Sequence, residues 1–257
     1  MKTPVYVISL LRDEERRNRI NKEFSSLGIE FRFFDAVDAK DYNNKNIIEK
    51  MRANGVGPEM TDGEIACALS HQFVYHDMIL NSCKWAVILE DDVIVDNKFK
   101  KFLSSLDEAE QSKLRLDNLY LLGGQKGLHE YPVLGLSLFN SLNVAGVTFR
   151  RVNYNKNKIR RTCCYLMNSK MAQQLIDLTA SYGTYRADSW QLMNQKNIIN
   201  DFYLNEFILH PILNEFNSHL EGERILISKI KKPRSQIQKR MKLFRSWFRV
   251  FFFYLLK

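Results

Sequence analysis

Three adjacent carboxylates, Glu90-Asp91-Asp92, follow the apolar run Trp85-Ala86-Val87-Ile88-Leu89, and a second apolar run, Val93-Ile94-Val95, comes directly after them. Like charges at successive positions repel one another, and each is costly to desolvate unless a cation or a proton compensates it. A strand that ends at a cleft resolves the conflict, because there the carboxylates hold a divalent metal through oxygen ligands. Such a metal suits a substrate carrying phosphates, since it offsets charge that builds on a leaving phosphate. A solvated acidic turn between two strands is the plainer alternative from this run alone. Arg12, Arg16 and Arg17 follow another apolar run, Val5-Tyr6-Val7-Ile8-Ser9-Leu10-Leu11. A guanidinium fork matches phosphate oxygens or a uracil ring. Arg12 is the strongest of the three because it stands at the end of that run, while arginines farther along a helix are usually solvated.

The elements that must position these groups alternate in type. The pattern predicts a buried strand over 5–10, a helix over 13–27 stopped by Gly28, and a strand over 31–34. Thr61 and Glu64 form a capping box that starts a helix running to about Asn81. Strands are expected over 84–89, over 119–122 ending at Gly123-Gly124, and over 162–167, with Ser169 capping a helix to about Tyr182. Glu64 and His71 lie two turns apart and share one helix face. Strands alternating with helices predict an α/β fold with a mostly parallel sheet. Ligands of such sheets bind at the carboxyl ends of the strands, where Ser9-Leu10-Leu11-Arg12 and Glu90-Asp91-Asp92 both fall.

A chain of 257 residues without an internal repeat or a long Pro/Gly/Ser linker fits one catalytic domain. Met1-Lys2-Thr3-Pro4 leads straight into a strand, so no secretory signal is expected. The four cysteines, Cys67, Cys83, Cys163 and Cys164, form no Cys-x-x-Cys pair, which argues against zinc and for reduced cytosolic thiols. The net charge of +9 is unevenly placed: ten basic residues and no acid lie from Lys229 onward, leaving 28 basic against 29 acidic residues before it. In that tail Met241, Phe244, Phe248, Phe251 and Leu255 fall on one helical stripe, flanked by Lys242, Arg245 and Arg249. The uninterrupted apolar part is far shorter than the ~20 residues that span a bilayer. A basic amphipathic helix with aromatic anchors instead suits the interface of an anionic membrane. A helix docked on the body and an RNA-binding tail are the alternatives. The membrane is favoured, and no nucleic acid expected, because the aromatics cluster at the end rather than interleave with the cations.

The ordered set of these segments resembles glycosyltransferase family 25, which contains bacterial lipooligosaccharide galactosyltransferases and collagen galactosyltransferases. The segments that carry the resemblance are Pro4 through Arg12 with Glu15-Arg16-Arg17, Phe33-Phe34-Asp35-Ala36, Thr61-Asp62-Gly63-Glu64-Ile65-Ala66-Cys67-Ala68-Leu69-Ser70-His71, and Leu89-Glu90-Asp91-Asp92. It is weaker, but in register, at Thr162 to Leu175, Ala187-Asp188, and Asn217-Ser218 through Arg224. One departure stands out. Family members often have a glycine before the threonine of the second-half strand, and here Arg161 precedes Thr162.

The resemblance implies a GT-A-like, nucleotide-diphospho-sugar-binding fold over 1–228; residues 229–257, by their charge and aromatic stripe, are expected to form a basic, membrane-associating tail. It implies an inverting, metal-dependent hexosyltransferase that moves galactose from UDP-galactose, in β-linkage, to a lipooligosaccharide or lipopolysaccharide outer-core acceptor. Asp92 resembles the direct ligand of Mn²⁺, with Mg²⁺ also suited to oxygen ligands. Glu90 and Asp91 would lie nearer the ribose and the donor sugar. Ser9, Leu10, Arg12, Arg16, Glu64, His71, Ser218 and Arg224 would line the donor site. For His71 a satisfied core histidine is the commoner role. Asp188 is the candidate base for the acceptor hydroxyl, with a helix N-cap as its alternative. A late histidine often joins the metal in GT-A enzymes, and His210 and His219 both qualify. Residues 125–160, poor in acids, are expected to shape the acceptor pocket. The expected location is the cytoplasm, peripherally on the inner membrane. The same triplet is compatible with a metal-dependent phosphohydrolase or nuclease, and the fold with a non-catalytic membrane-binding module.

Overall fold

The computed structural model describes residues 2–57, 59–126, 128, 133–211 and 235–256. In β1 (Val5–Ser9) every residue is buried, and the side chains alternate between two cores. Val5 and Val7 join one cluster, Tyr6 and Ile8 the other. This two-residue period on a strand covered on both faces is what its unbroken apolar run dictates. Helix α1 (Glu14–Leu27) ends where Gly28 turns left-handed at φ 64° and donates its N–H to Phe24 and Ser25 carbonyls. Then follow β2 (Arg32–Asp35), α2 (Lys45–Ala53) and α3 (Asp62–Leu80). The predicted capping box is present at the head of α3: Thr61 accepts from the Glu64 N–H while Glu64 accepts from the Thr61 N–H. β3 (Trp85–Glu90) delivers the acidic triplet, with Trp85, Val87 and Leu89 on one face and Ala86 and Ile88 on the other.

The second half contains α4 (Asn97–Ser105), α5 (Glu108–Ser112), β4 (Asn118–Gly123), β5 (Gly135–Val144) and β6 (Val147–Tyr154). It continues with β7 (Cys164–Asn168), α6 (Ser169–Tyr182), α7 (Trp190–Gln195) and β8 (Asp201–Ile208), and α8 (Gln236–Leu256) follows. The N-cap of α6 is Asn168, one residue before the expected Ser169; its side chain accepts from the Met171 N–H. β5 and β6 form a hairpin whose turn residues, Ala145 at φ 50° and Gly146 at φ 75°, both take the left-handed conformation that tight hairpins need.

The eight strands form one sheet in the order β2-β1-β3-β7-β4-β8-β6-β5. Three neighbouring pairs are parallel and four antiparallel, yet six strands run in one direction, because β7 and β6 are the two inserted against it. The α/β fold with a mostly parallel sheet is therefore present, with the reversals confined to those two strands. One face carries the aromatic cluster Phe24, Phe99, Phe102, Phe149 and Phe207 against α1 and α4; the other buries Tyr75, Met171 and Trp190 under α3, α6 and α7. Among the described residues, no helix is long and apolar enough to cross a membrane.

Candidate active site

At the carboxyl ends of β1 and β3 lies a cavity of about 450 Å³, lined by Ser9, Leu10, Arg12, Arg16, Asp38, Ser70, His71 and the triplet Glu90, Asp91 and Asp92 among others. Each carboxylate has a different environment. Asp91 is buried, accepts from the Ser9 hydroxyl at 2.7 Å and pairs with Arg16 at 2.8 Å. Burial still pushes its carboxyl above the usual range despite Ser9 and Arg16. Arg19 braces the same turn from α1, donating to the Asp91 carbonyl at 2.6 Å and the Val93 carbonyl at 2.9 Å. Glu90 accepts from the Thr162 hydroxyl and has His71 Nε2 at 3.6 Å. Burial alone would raise the Glu90 carboxyl, but His71, Thr162 and His210 together hold it below the usual range.

Asp92 faces His210, whose Nε2 lies 2.9 Å from Asp92 Oδ2. Its other oxygen, Oδ1, is buried with no hydrogen-bond partner among the described residues, which is costly for a carboxylate unless a cation completes it. The chain brings His210 here by a two-stranded bridge: Ile94 and Leu209 exchange N–H···O bonds of 2.9 and 3.0 Å. His210 Nδ1 lies 2.6 Å from the Pro211 carbonyl and must donate to it, which turns Nε2 toward Asp92. Burial opposes a charged ring at this position, but Asp92, the Pro211 carbonyl and Glu90 outweigh it, so His210 titrates above the ordinary histidine range. A carboxylate oxygen, an imidazole nitrogen and a second, unpartnered carboxylate oxygen fit Mn²⁺ or Mg²⁺ with Asp92 as anchor. Gly123 and Gly124 make room for this. A Cβ on Gly123 would fall 1.9 Å from the Ile208 carbonyl oxygen, and one on Gly124 would fall 2.2 Å from Cys163 Sγ and 3.0 Å from His210 Cβ. The glycine pair at the end of a predicted strand was the signal for this close approach.

The other expected residues separate into those at the cavity and those elsewhere. Arg12 is at the cavity rim, paired with Asp38. The guanidinium outweighs burial and holds the Asp38 carboxyl below the usual range. His71 is buried; Nδ1 contacts the Tyr165 hydroxyl at 2.7 Å, while Nε2 has no hydrogen-bond partner among the described residues. Glu64 is buried outside the cavity lining, where it closes the α3 capping box and pairs with Arg186 at 2.9 Å. Asp188 is also outside that lining. The N-cap of α7 is Ser189, and Asp188 instead accepts the Arg161 N–H at 3.0 Å. Arg161, the residue in place of the family's glycine, has φ 75°, the left-handed conformation that glycine adopts without strain. Ser218, Arg224 and His219 lie outside the described residues.

The carboxyl ends of the sheet thus carry a carboxylate cluster beside an arginine-rimmed cavity. The chain belongs to glycosyltransferase family 25 (LPS biosynthesis protein), whose model matches residues 2–190. The lipooligosaccharide biosynthesis protein lic2B of Haemophilus influenzae is 35% identical over 117 residues, covering 45% of this chain and 43% of that protein. Procollagen galactosyltransferase 1-B of Xenopus laevis is 27% identical over 244 residues, covering 87% of this chain and 37% of that protein. A probable inactive glycosyltransferase 25 family member 3 of Rattus norvegicus is 28% identical over 158 residues, covering 58% of this chain and 27% of that protein. The chain thus spans less than half the length of each of these relatives.

Proposed function

We propose that this protein is an inverting, metal-dependent glycosyltransferase that moves galactose from UDP-galactose, in β-linkage, onto the outer core of a lipooligosaccharide. The observation that carries the reading is the Asp92–His210 pair with its unpartnered carboxylate oxygen at the end of β3. Those two residues would hold Mn²⁺ or Mg²⁺, which when bound supplies positive charge to the departing diphosphate. The chain's own residues do the rest. Ser9, Arg16 and Arg19 hold the Asp91 turn in place, so that Glu90 and Asp92 on either side of it stay at the cavity. Arg12, at the rim, offers its guanidinium to phosphate oxygens in exchange for Asp38. Asp188, outside the cavity lining but held by Arg161, the neighbour of the Thr162 that donates to Glu90, takes the proton of the acceptor hydroxyl; the new bond forms at the anomeric carbon as the sugar–phosphate bond breaks on the opposite face, and its electrons leave with the diphosphate. The Arg161 N–H holds one Asp188 oxygen and so orients the other.

The lipid-borne acceptor accords with α8. One face of α8 exposes Phe244, Trp247, Phe248 and Phe251. Lys242 and Arg249 face a cleft whose far wall bears Lys126, Lys158 and Arg160. Phe253 docks on Tyr154 with ring centroids 4.5 Å apart, so part of the tail packs on the body while its aromatic stripe stays outward. Exposed aromatics beside cations suit an anionic bilayer surface, which supports a peripheral position on the cytoplasmic face of the inner membrane.

The test is a thermal-shift and transfer screen with UDP-galactose, UDP-glucose, UDP-N-acetylglucosamine, GDP-mannose and CMP-sialic acid, each with and without Mn²⁺. A metal-dependent shift with UDP-galactose, followed by transfer to a lipooligosaccharide acceptor, is expected. No shift with any of them would overturn the transferase reading.

A further inference from the structure

His71 poses a physical problem. Among the described residues its buried Nε2 has no hydrogen-bond partner, Glu90 Oε1 standing 3.6 Å away, and an unmatched buried polar atom costs about 1–3 kcal/mol. What surrounds that nitrogen is a set of ligand atoms. One turn earlier on α3, Cys67 stands on the same face as His71. Glu90 comes from the end of β3. The Cys67 thiol, a His71 ring nitrogen and a Glu90 carboxylate oxygen all lie within 4.8 Å of one another, and all three residues line the cavity. His71 Nε2 and Glu90 Oε1 are already 3.6 Å apart, about the edge of a tetrahedron drawn around a zinc ion with bonds near 2.0–2.2 Å.

The support behind His71 is of the kind that metal-binding histidines carry. Its Nδ1 lies 2.7 Å from the Tyr165 hydroxyl, which in turn lies 3.0 Å from the Tyr75 hydroxyl. With the proton on Nδ1 donated to Tyr165, and the Tyr165 proton donated to Tyr75, the Nε2 lone pair points at Cys67 and Glu90. A hydrogen bond on the remote nitrogen fixes ring orientation and tautomer and raises the basicity of the ligating one.

We propose that Cys67, His71 and Glu90 form a second metal site, selective for a thiophilic divalent cation such as zinc, within the same cavity as the Asp92–His210 pair. The two sites differ in hardness. Carboxylate and imidazole at Asp92 and His210 suit Mn²⁺ or Mg²⁺, whereas a thiolate in the set favours zinc or cobalt. Three protein ligands and a fourth position open to the cavity leave room for water or an incoming ligand. Binding deprotonates Cys67 and releases its proton to solvent. The absence of any Cys-x-x-Cys spacing does not bear on this site, because its ligands come from one helix face and a distant strand end.

The experiment uses the full chain stripped of metal and titrated with Co²⁺ and Zn²⁺ alone. One Co²⁺ per chain with a thiolate-to-metal charge-transfer band is expected, displaced by Zn²⁺. Cys67→Ala and Cys67→Ser should abolish the band and lower zinc affinity at least about 100-fold, and Tyr165→Phe should weaken it about 10- to 100-fold. Asp92→Asn should leave the band intact, which separates this site from the Mn²⁺ site and from any failure of the transferase reading. Circular dichroism of each variant checks folding. No charge-transfer band, a band that survives Cys67→Ala and follows Cys163 or Cys164 instead, or a band lost in Asp92→Asn would each overturn the proposal.

Discussion

Gly124→Ala should unfold the protein more readily and pull His210 away from Asp92, although it adds only a methyl group. Gly124 has φ 65°, and a Cβ there would meet Cys163 Sγ at 2.2 Å and His210 Cβ at 3.0 Å. Holding a non-glycine residue in the left-handed conformation costs roughly 1–2 kcal/mol. Forcing the methyl against a buried sulfur costs about 1–3 kcal/mol more, because Cys163 is already committed to the Gly123 carbonyl and the Cys164 thiol. The loss of unfolded-state freedom returns roughly 0.4–1 kcal/mol. The net destabilisation is about 2–4 kcal/mol, a fall in melting temperature of roughly 5–15 °C for a chain of this size. Urea unfolding monitored by circular dichroism reads this as a lower midpoint at unchanged slope. Adding Cys163→Ala should recover about 1–3 kcal/mol of the loss beyond additivity, since the worst contact is removed while φ is unchanged. A Gly124→Ala protein within about 0.5 kcal/mol of the parent, or a double variant showing no coupling, would refute the claim that the glycine pair clears the path for His210.

Three further outcomes follow from the same geometry. Asp92→Asn should keep the melting temperature of the free protein near that of the parent but abolish the Mn²⁺-dependent rise with UDP-galactose; at a hundred times Kd that rise is about 2.7 kcal/mol, roughly 5–11 °C, in the parent, and an unchanged rise in the variant would remove Asp92 from the metal site. At Arg161, which has φ 75°, replacement by valine should cost at least about 1 kcal/mol more than replacement by glycine, and equal urea midpoints for the two would show that the left-handed backbone there carries no penalty. Arg12→Gln removes the partner that depresses Asp38. A carboxylate with a lowered folded pKa stabilises above its unfolded pKa of about 3.9 and loses that contribution as pH falls through the folded pKa. Because the pair is partly exposed, the variant should lose less than about 1 kcal/mol at pH 7, with the gap closing as pH falls through the folded pKa, and a gap that widens toward acid would reverse the sign of this reasoning.

Local features were legible in the chain and long-range ones were not. The α3 capping box, the Gly28 stop and the strand carrying the triplet depend on residues within a few positions of one another, so spacing alone fixed them. The direction of β7 did not show. Its all-buried pattern is the same whether it runs with or against β3, since strand direction leaves no mark on a two-residue period. The Ala145-Gly146 hairpin escaped notice because alanine is an unusual occupant of a turn that needs positive φ at both positions. The motif points Glu64 toward the donor site, whereas its carboxylate accepts the Thr61 N–H and pairs with Arg186.

The choice between His210 and His219 shows where spacing stops being informative. Both follow β8 within a dozen residues, and nothing local ranks them. What puts His210 beside Asp92 is the register of a bridge between Ile94 and Leu209, residues 115 positions apart. Asp92 lies two residues before one side of that bridge and His210 one residue after the other, so the antiparallel pairing carries the two side chains together. The register is itself set by β8 lying beside β4, and by the glycines that let the end of β4 approach Ile208 and His210. The metal-competent pair is therefore a property of the second half of the sheet acting on the first. If Asp92 and His210 hold the metal as proposed, a change at Gly123 or Gly124, neither of which offers a ligand atom from a side chain, bears on that binding through the placement of His210.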